Sequence, residues 1–328
     1  MDALSEVLKV IQIESAFFYH GEFTAPWSFR SPPSCKLAPY IDHSDGHVIV
    51  YHLLTQGQAT ARLDDNTRLS LEAGDIVIFP QGDPHYIQSG DAARPVDGES
   101  ALQQMFADGL KLSCMGGGGE VTRFVCGFMV CEPALSGVLL AGLPAVFKVN
   151  IRADESGRWL EESIRYSISQ MGVSGSGSKA VLGKLCETLF AETLRRYVAA
   201  SPLQQRGWLA GVLDPEIGKV LGLMHREPAT PWTVASLAQQ AGMSRSVLAA
   251  RFRQYLGEPP VAYLTRWRLQ LGARMLSRTS HSVARIASEV GYESEAAFNR
   301  AFKRQFGHPP ARYRVQAKKV AITDPGQN

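Results

Sequence analysis

The last third of the chain contains one sequence pattern twice, and this repeat constrains the fold more than any other feature. The first copy occupies residues 233–263 and the second occupies residues 282–313. Both copies end in Gly-x-Pro-Pro-x-x-Tyr, which begins at Gly257 in the first copy and at Gly307 in the second. The agreement of a helical pattern and its tail indicates two copies of one structural unit.

Each copy has the pattern of two short helices joined by a glycine turn. Gly242 and Gly291 allow the turns, and Ser244 and Ser294 are suited to cap the helices that follow. Apolar residues at i, i+4 and i+8 give each second helix one buried face, and they are Leu248, Phe252 and Leu256 in the first copy and Phe298, Phe302 and Phe306 in the second. The pattern predicts helix-turn-helix units at about 232–257 and 282–307, joined by a helix at about 261–278.

The second helix of a helix-turn-helix unit enters the major groove of DNA, so its outward side chains decide the partner. The outward positions are Arg245, Ser246, Ala249 and Arg253 in the first copy and Glu295, Asn299, Arg300 and Lys303 in the second. Arginine suits guanine, asparagine suits adenine, glutamate suits cytosine and lysine suits phosphate. We expect Asn299 and Arg300 to read bases, with the two reading helices about 34 Å apart, one turn of the duplex. The alternative is a solvated surface on a helical bundle.

The charge of the chain is concentrated in this repeat. Residues 216–320 carry 17 Lys and Arg against 6 Asp and Glu, although the whole chain has a net charge of only +3. A basic segment joined to an acidic one is typical of a nucleic-acid-binding domain. A membrane-surface segment would instead carry its charge along one face of a single amphipathic helix.

The pattern Gly291-Tyr292-x-Ser294-x-x-x-Phe298-x-x-x-Phe302-Lys303-x-x-x-Gly307-x-x-Pro310-x-x-Tyr313-Arg314 carries a family resemblance. The segment from about 232 to 314 resembles the DNA-binding domain of the AraC/XylS family of transcription regulators. The resemblance implies a DNA-binding domain over about 214–319, sequence-specific binding to double-stranded DNA, and RNA polymerase as a candidate partner. Whether transcription rises or falls stays open.

The first half of the chain has the pattern of short strands. Residues 47–54, 75–79 and 121–130 are rich in β-branched and aromatic side chains and are bounded by Gly and Pro, which predicts a sandwich or barrel. We expect a loop from about 89 to 120, because the run Gly116–Gly119 is flexible. Apolar periodicity predicts helices at 158–170 and 179–199, with a flexible linker between them. The predicted regulatory domain covers residues 1–205.

The pattern Gly74-x5-Pro80-x-Gly82-x2-His85 resembles the second motif of the cupin family. The resemblance implies a cupin-like β-barrel, so that the whole chain is of the α+β class, with a helical linker and an all-α C-terminal domain. Val50 stands where the first cupin motif has a glutamate, and the His-x-His pair of that motif is absent. These departures favour a sensor that is not an enzyme. The alternative is a cupin-class metalloenzyme with a DNA-binding appendage.

Three side chains of this half form a candidate chemical site. His52 lies two residues after Val50 and therefore on the same strand face, His85 would point into the barrel, and Cys126 lies on a third strand. Imidazole and thiolate suit zinc, and Cys126 could instead be an oxidisable thiol. The other interpretation is a core thiol with two hydrogen-bonded histidines, and in that case a small organic effector would occupy the barrel.

Bulk features predict a cytoplasmic protein without a membrane partner. The N-terminus is acidic, and no apolar run reaches the ~18–20 residues of a membrane span. The five cysteines are odd in number and sparse, as expected of reduced thiols. The leucine stripe of helix 180–198, formed by Leu182, Leu185, Leu189 and Leu194, is a candidate homodimer element, or it packs on its own barrel.

Overall fold

A computed structural model describes residues 4–5, 13–36, 47–90, 94–107, 113–131, 140–169, 178–200 and 207–322. The chain divides into two compact units. The N-terminal unit comprises residues 12–131 and 143–200, and the C-terminal unit comprises residues 201–328 together with 1–11 and 132–142.

The described strands of the N-terminal unit form two sheets. The strands are β1 Ile13–Thr24, β2 Trp27–Ser31, β3 His47–Gln56, β4 Gln58–Leu63, β5 Arg68–Glu72, β6 Asp75–Phe79, β7 His85–Ser89, β8 Val96–Asp97, β9 Ser113–Gly116, β10 Val121–Cys131 and β11 Phe147–Asn150. The six-stranded sheet has the order β11-β6-β3-β10-β1-β9, and the five-stranded sheet has the order β5-β4-β7-β2-β8.

The core of this unit lies between the two sheets. Val50 of β3 and Phe128 of β10 belong to one sheet, Ala61 of β4 and Ile87 of β7 belong to the other, and all four are buried in one apolar cluster. Their packing follows the strand period of 2, which sends alternate side chains to the same face. The predicted cupin-like fold class is confirmed, with the described strands arranged as two facing sheets rather than as one closed barrel.

The predicted loop at 89–120 is wrong over much of its length. It contains β8, the helix α1 Gly98–Ala107 and β9. Asp97 accepts a hydrogen bond from the Ser100 backbone N–H, which is the local signal for the helix start. Gly116 also lies against the backbone of β1, because a Cβ at this position would collide with the Thr24 carbonyl oxygen.

Two helices complete the N-terminal unit, α2 Glu155–Ser169 and α3 Ser178–Ala200, as predicted. The predicted linker at 172–178 lies outside the described residues, except for Ser178 at the start of α3. The stripe of α3 packs on β1 and β11, and Leu182, Leu189 and Leu194 are buried there. Of the two alternatives for this stripe, packing on its own domain is therefore the one that the fold uses.

The described part of the C-terminal unit is helical. Its helices are α4 Trp208–Leu213, α5 Pro215–Arg226, α6 Val234–Gln240, α7 Arg245–Leu256, α8 Pro260–Arg278, α9 Val283–Glu289, α10 Glu295–Phe306 and α11 Pro310–Ile322. The pairs α6–α7 and α9–α10 correspond to the two copies of the repeat, and α8 connects them.

The local signals of the repeat act as predicted. Ser244 accepts a hydrogen bond from the Val247 N–H, and Ser294 accepts one from the Ala297 N–H. Gly242 and Gly291 have φ of 67° and 87°, in the left-handed region that favours glycine. In each stripe the first two side chains, Leu248 and Phe252 or Phe298 and Phe302, are fully buried, while the third is half-buried.

Candidate functional site

The outward side chains of α7 and α10 form the first candidate site. Arg245, Ser246 and Arg253 of α7 are exposed, and so are Glu295, Arg300 and Lys303 of α10. Ala249 and Asn299 are half-buried. The predicted contact residues are therefore accessible on both helices, and Ala249 and Asn299 are the least exposed of them. At α10, the side chains of Glu295, Asn299, Arg300 and Lys303 border an open groove whose other wall includes Val283 and Pro309.

Several arginines of the C-terminal unit are paired within the fold, whereas the four cations on the outward faces are not paired with any described residue. Within the described residues, Arg245, Arg253, Arg300 and Lys303 form no ion pair or hydrogen bond through their side chains. Other arginines of the unit are committed to the fold, among them Arg251, Arg266, Arg268, Arg285 and Arg314. Unpaired cations on a reading face are available for phosphate and base contacts.

Asp214 anchors α7 to α5, and this role was not predicted from the sequence. Its carboxylate caps α5 by accepting from the Glu216 and Ile217 N–H groups, and it also pairs with Arg251 and accepts from the Tyr255 hydroxyl at 3.0 Å. Burial alone would raise the pKa of Asp214, but these hydrogen bonds outweigh it and lower the pKa. Asp214 thus ties α7 to α5, and its place before Pro215 was the signal for a cap.

The second candidate site is a hydrogen-bonded chain of His52, His85 and Cys126 within the N-terminal unit. His52 and Cys126 are paired across β3 and β10, and the His52 Nδ1 to Cys126 Sγ distance is 2.8 Å. His85 belongs to the opposite sheet, and its Nε2 lies 2.8 Å from His52 Nε2. The structure thus brings together the three residues predicted from the sequence, and their contacts cross from one sheet to the other.

The backbone carbonyl of Asp83 fixes the proton positions along this chain. His85 Nδ1 lies 2.7 Å from that oxygen, which can only accept, so Nδ1 carries the proton. In neutral histidines the other ring nitrogen is then an acceptor, so His52 donates from Nε2 to His85, and Cys126 donates its S–H to His52 Nδ1. The Tyr19 hydroxyl also interacts with the sulfur and partly opposes the effect of burial on the pKa of the Cys126 thiol. Tyr19 and Asp83 carried no sequence signal for this role.

Burial controls the protonation of these groups. It lowers the pKa of His85 to about 4, with the Asp83 hydrogen bond opposing the shift, and it lowers the pKa of His52, as does the neighbouring His85. It also raises the pKa of the Cys126 thiol far above its usual range. At neutral pH, His52, His85 and Cys126 are therefore two uncharged imidazoles and an uncharged thiol.

The two chemical roles predicted for this chain, zinc binding and thiol oxidation, stay predictions. The two nitrogens of His52 point to different partners, so the three donor atoms do not face a common centre. Among the described residues, no group of three His, Cys, Asp or Glu side chains is arranged around a metal position. A buried, protonated thiol also reacts slowly with oxidants.

A pocket lies beside His52 and Cys126, between the two sheets of the N-terminal unit. Tyr19, His52 and Cys126 form a polar part of its wall, and most of the remaining wall is aromatic or aliphatic. The cavity volume is about 20 Å³, and the empty space counted out through the mouth into solvent is about 450 Å³. Ala101 of α1 and Met115 of β9 cover one side, so the segment that was expected to be a loop helps to enclose the pocket.

The tandem helix-turn-helix units and the β-sandwich define a DNA-binding transcription regulator with an N-terminal cupin domain. A family model described as "Cupin" matches residues 2–199, and one described as "Helix-turn-helix domain" matches residues 237–316. The chain belongs to the AraC-type helix-turn-helix transcription regulators with a cupin domain, which confirms both resemblances and the predicted function.

The relatives extend over nearly the whole chain. The "HTH-type transcriptional regulator AlkR" of Acinetobacter baylyi is 30% identical over 97% of this chain and 100% of its own. The "RCS-specific HTH-type transcriptional activator RclR" of Escherichia coli K12 is 31% identical over 98% of this chain and 100% of its own. The crystal structure of the AdpA DNA-binding domain with a target DNA is 31% identical over 32% of this chain and 95% of that chain, with a TM-score of 0.31.

The helices bear on the predicted absence of a membrane-spanning segment. Within the described ranges, none combines the length and the apolarity that a membrane-spanning segment requires.

Proposed function

We propose that α7 and α10 are the two reading helices and that the eight outward residues, from Arg245 to Arg253 and from Glu295 to Lys303, contact DNA. One observation carries the proposal: the cations on these faces are left unpaired by the described residues, whereas Arg251 on the inner side of α7 is tied to Asp214 and Glu216. Arg300 and Asn299 read base edges, and Lys303 contacts phosphate.

We further propose that the N-terminal unit senses a chemical signal and does not catalyse a reaction. A small molecule in the pocket between the sheets is the form of signal that we favour, since Cys126 is buried and both nitrogens of His52 are engaged. Zinc at His52, His85 and Cys126 is the alternative. Metal analysis of protein purified without chelator separates them, because stoichiometric zinc would support the alternative and stoichiometric iron or manganese would support a metalloenzyme.

The remaining partners follow from the same scheme. The regulator binds double-stranded DNA in the cytoplasm, where a gene regulator must work, and contacts RNA polymerase there. A homodimer would use a surface other than the stripe of α3, since Leu189 and Leu194 are fully buried within their own unit.

Salt-dependent DNA binding by the full-length chain tests the interface. In a fluorescence anisotropy titration on a mixed-sequence duplex, affinity should fall steeply with salt, because each neutralised phosphate releases counterions. Lys303→Ala should reduce the slope of log K against log salt by about 1. Arg158→Ala removes an exposed charge from the N-terminal unit and should leave the slope unchanged. Salt-independent binding, or equal slopes for the two variants, would contradict the interface.

A further inference from the structure

We propose that the pocket between the two sheets of the N-terminal unit binds a small, neutral, mostly hydrocarbon molecule that carries a hydrogen-bond acceptor for the indole N–H of Trp27. This inference rests on the proposed sensing function of the unit, and it names the chemistry of the signal.

The wall of the pocket sets the hydrocarbon character of the ligand. Aromatic rings and aliphatic chains line it, contributed by Phe23, Phe29, Phe124, Ile87 and Met115 beside Trp27. None of the described residues that line it is Asp, Glu, Lys or Arg. A charged ligand would lose its hydration without gaining a counter-ion, and a polyol would leave most of its hydroxyls without partners.

Among the described residues that line the pocket, Trp27 carries a buried donor without a partner. Its ring stacks on Phe23 at a centroid distance of 4.3 Å and meets Phe124 edge-on at 5.9 Å, so its position is fixed. The side chain is only 4% exposed, and its Nε1 has no acceptor among the described residues. A buried donor without an acceptor is destabilising, and a carbonyl or ether oxygen in the pocket would satisfy it.

Two of the polar groups in the wall of the pocket have their protons already engaged. The Cys126 thiol donates to His52, and His52 donates to His85. Trp27 is therefore the donor in the described lining that a ligand acceptor would satisfy.

Three probes of similar size separate these features. Acetophenone is neutral with one acceptor, ethylbenzene is neutral without one, and benzoate is charged. Binding to the full-length chain is measured by saturation-transfer NMR titration, for the wild type and for Trp27→Phe, which keeps an aromatic ring and removes the N–H. Trp159→Phe is the matched control, since Trp159 is 62% exposed on α2.

Acetophenone should bind roughly two- to tenfold more tightly than ethylbenzene, the range expected for one hydrogen bond, and benzoate should bind at least roughly tenfold more weakly than acetophenone. Trp27→Phe should equalise acetophenone and ethylbenzene, whereas Trp159→Phe should not. Ala101→Trp, which fills the pocket from α1, should weaken both neutral probes.

Three results would overturn the inference: benzoate binding as well as acetophenone, an unchanged preference in Trp27→Phe, or no binding of either neutral probe by the wild type. The ranking in the wild type needs no variant to fold. DNA binding by the same preparations is measured in parallel, so a failed pocket with intact DNA binding would leave the regulator function standing.

Discussion

Phe302→Ala should unfold the second helix-turn-helix unit locally. The Phe302 side chain is completely buried, and its ring packs against Phe298, Phe306 and Tyr313 at centroid distances of 5.3, 4.5 and 5.4 Å. Truncation removes the transfer free energy of the ring and leaves a cavity among α8, α9 and α10, at a cost of about 3–5 kcal/mol. A unit of this size has little stability in reserve.

Hydrogen exchange, measured by mass spectrometry on the full-length chain, reports the loss of stability separately for each segment of the unit. A change of 3–5 kcal/mol in the opening free energy corresponds to about 150- to 5,000-fold faster exchange in peptides from α9 and α10. If the loss exceeds the stability of the unit, these peptides exchange at the unprotected rate. Gln305→Ala, at an exposed position of the same helix, should change exchange by less than about threefold. Unchanged protection in Phe302→Ala would refute the assigned apolar stripe.

Three further predictions concern the turns, the thiols and the histidines. Gly291→Ala should destabilise the C-terminal unit by about 3 kcal/mol or more, whereas Gly242→Ala should cost about 1–2 kcal/mol. Both glycines have positive φ, but of the two only Gly291 would bring a Cβ against backbone, 2.7 Å from the Ala229 Cα. Equal losses in urea unfolding would contradict this. Iodoacetamide should modify the exposed Cys35 roughly 100-fold faster than the buried Cys126, and comparable rates by peptide mass spectrometry would show that Cys126 is accessible. The free energy of unfolding of the N-terminal unit should fall by about 3 kcal/mol as the pH falls from 6.5 to 4. The reason is that the unfolded chain protonates His85 in this window, while folded His85 keeps a pKa of about 4. Hydrogen exchange of β7 that does not change with pH, after correction for the intrinsic rate, would oppose this.

The DNA-binding unit could be predicted from the sequence because its signals are local. The caps at Ser244 and Ser294, the glycine turns and the i, i+4 stripes each involve residues within a few positions of one another, so periodicity and cap chemistry are enough to locate the helices. The anchoring of α7 by Asp214 was beyond this reasoning, because the Arg251 partner lies 37 positions away in the chain.

The hydrogen bonds among His52, His85 and Cys126 could not be predicted from the sequence. Strand alternation places His52 on the inner face, but its pairing with Cys126 depends on the register of β3 against β10, and its contact with His85 depends on how two sheets face each other. The Asp83 carbonyl that orients the chain has no side-chain signal at all. The same holds for Trp27, whose unsatisfied N–H is apparent only once its neighbours are placed.

Selection of bound sequences from random duplex DNA, with the full-length chain, tests the central claim most directly. Two reading helices predict a motif with two parts whose centres lie about 10–10.5 base pairs apart. Arg300→Ala should erase the preference for a guanine in one part at a cost of about 1–3 kcal/mol. Arg304→Ala, one helical turn further along α10 and outside the predicted contact set, should leave the motif intact. A wild type that enriches no motif, or an Arg300→Ala variant that enriches the wild-type motif unchanged, would contradict the assignment of α7 and α10 as the helices that read DNA.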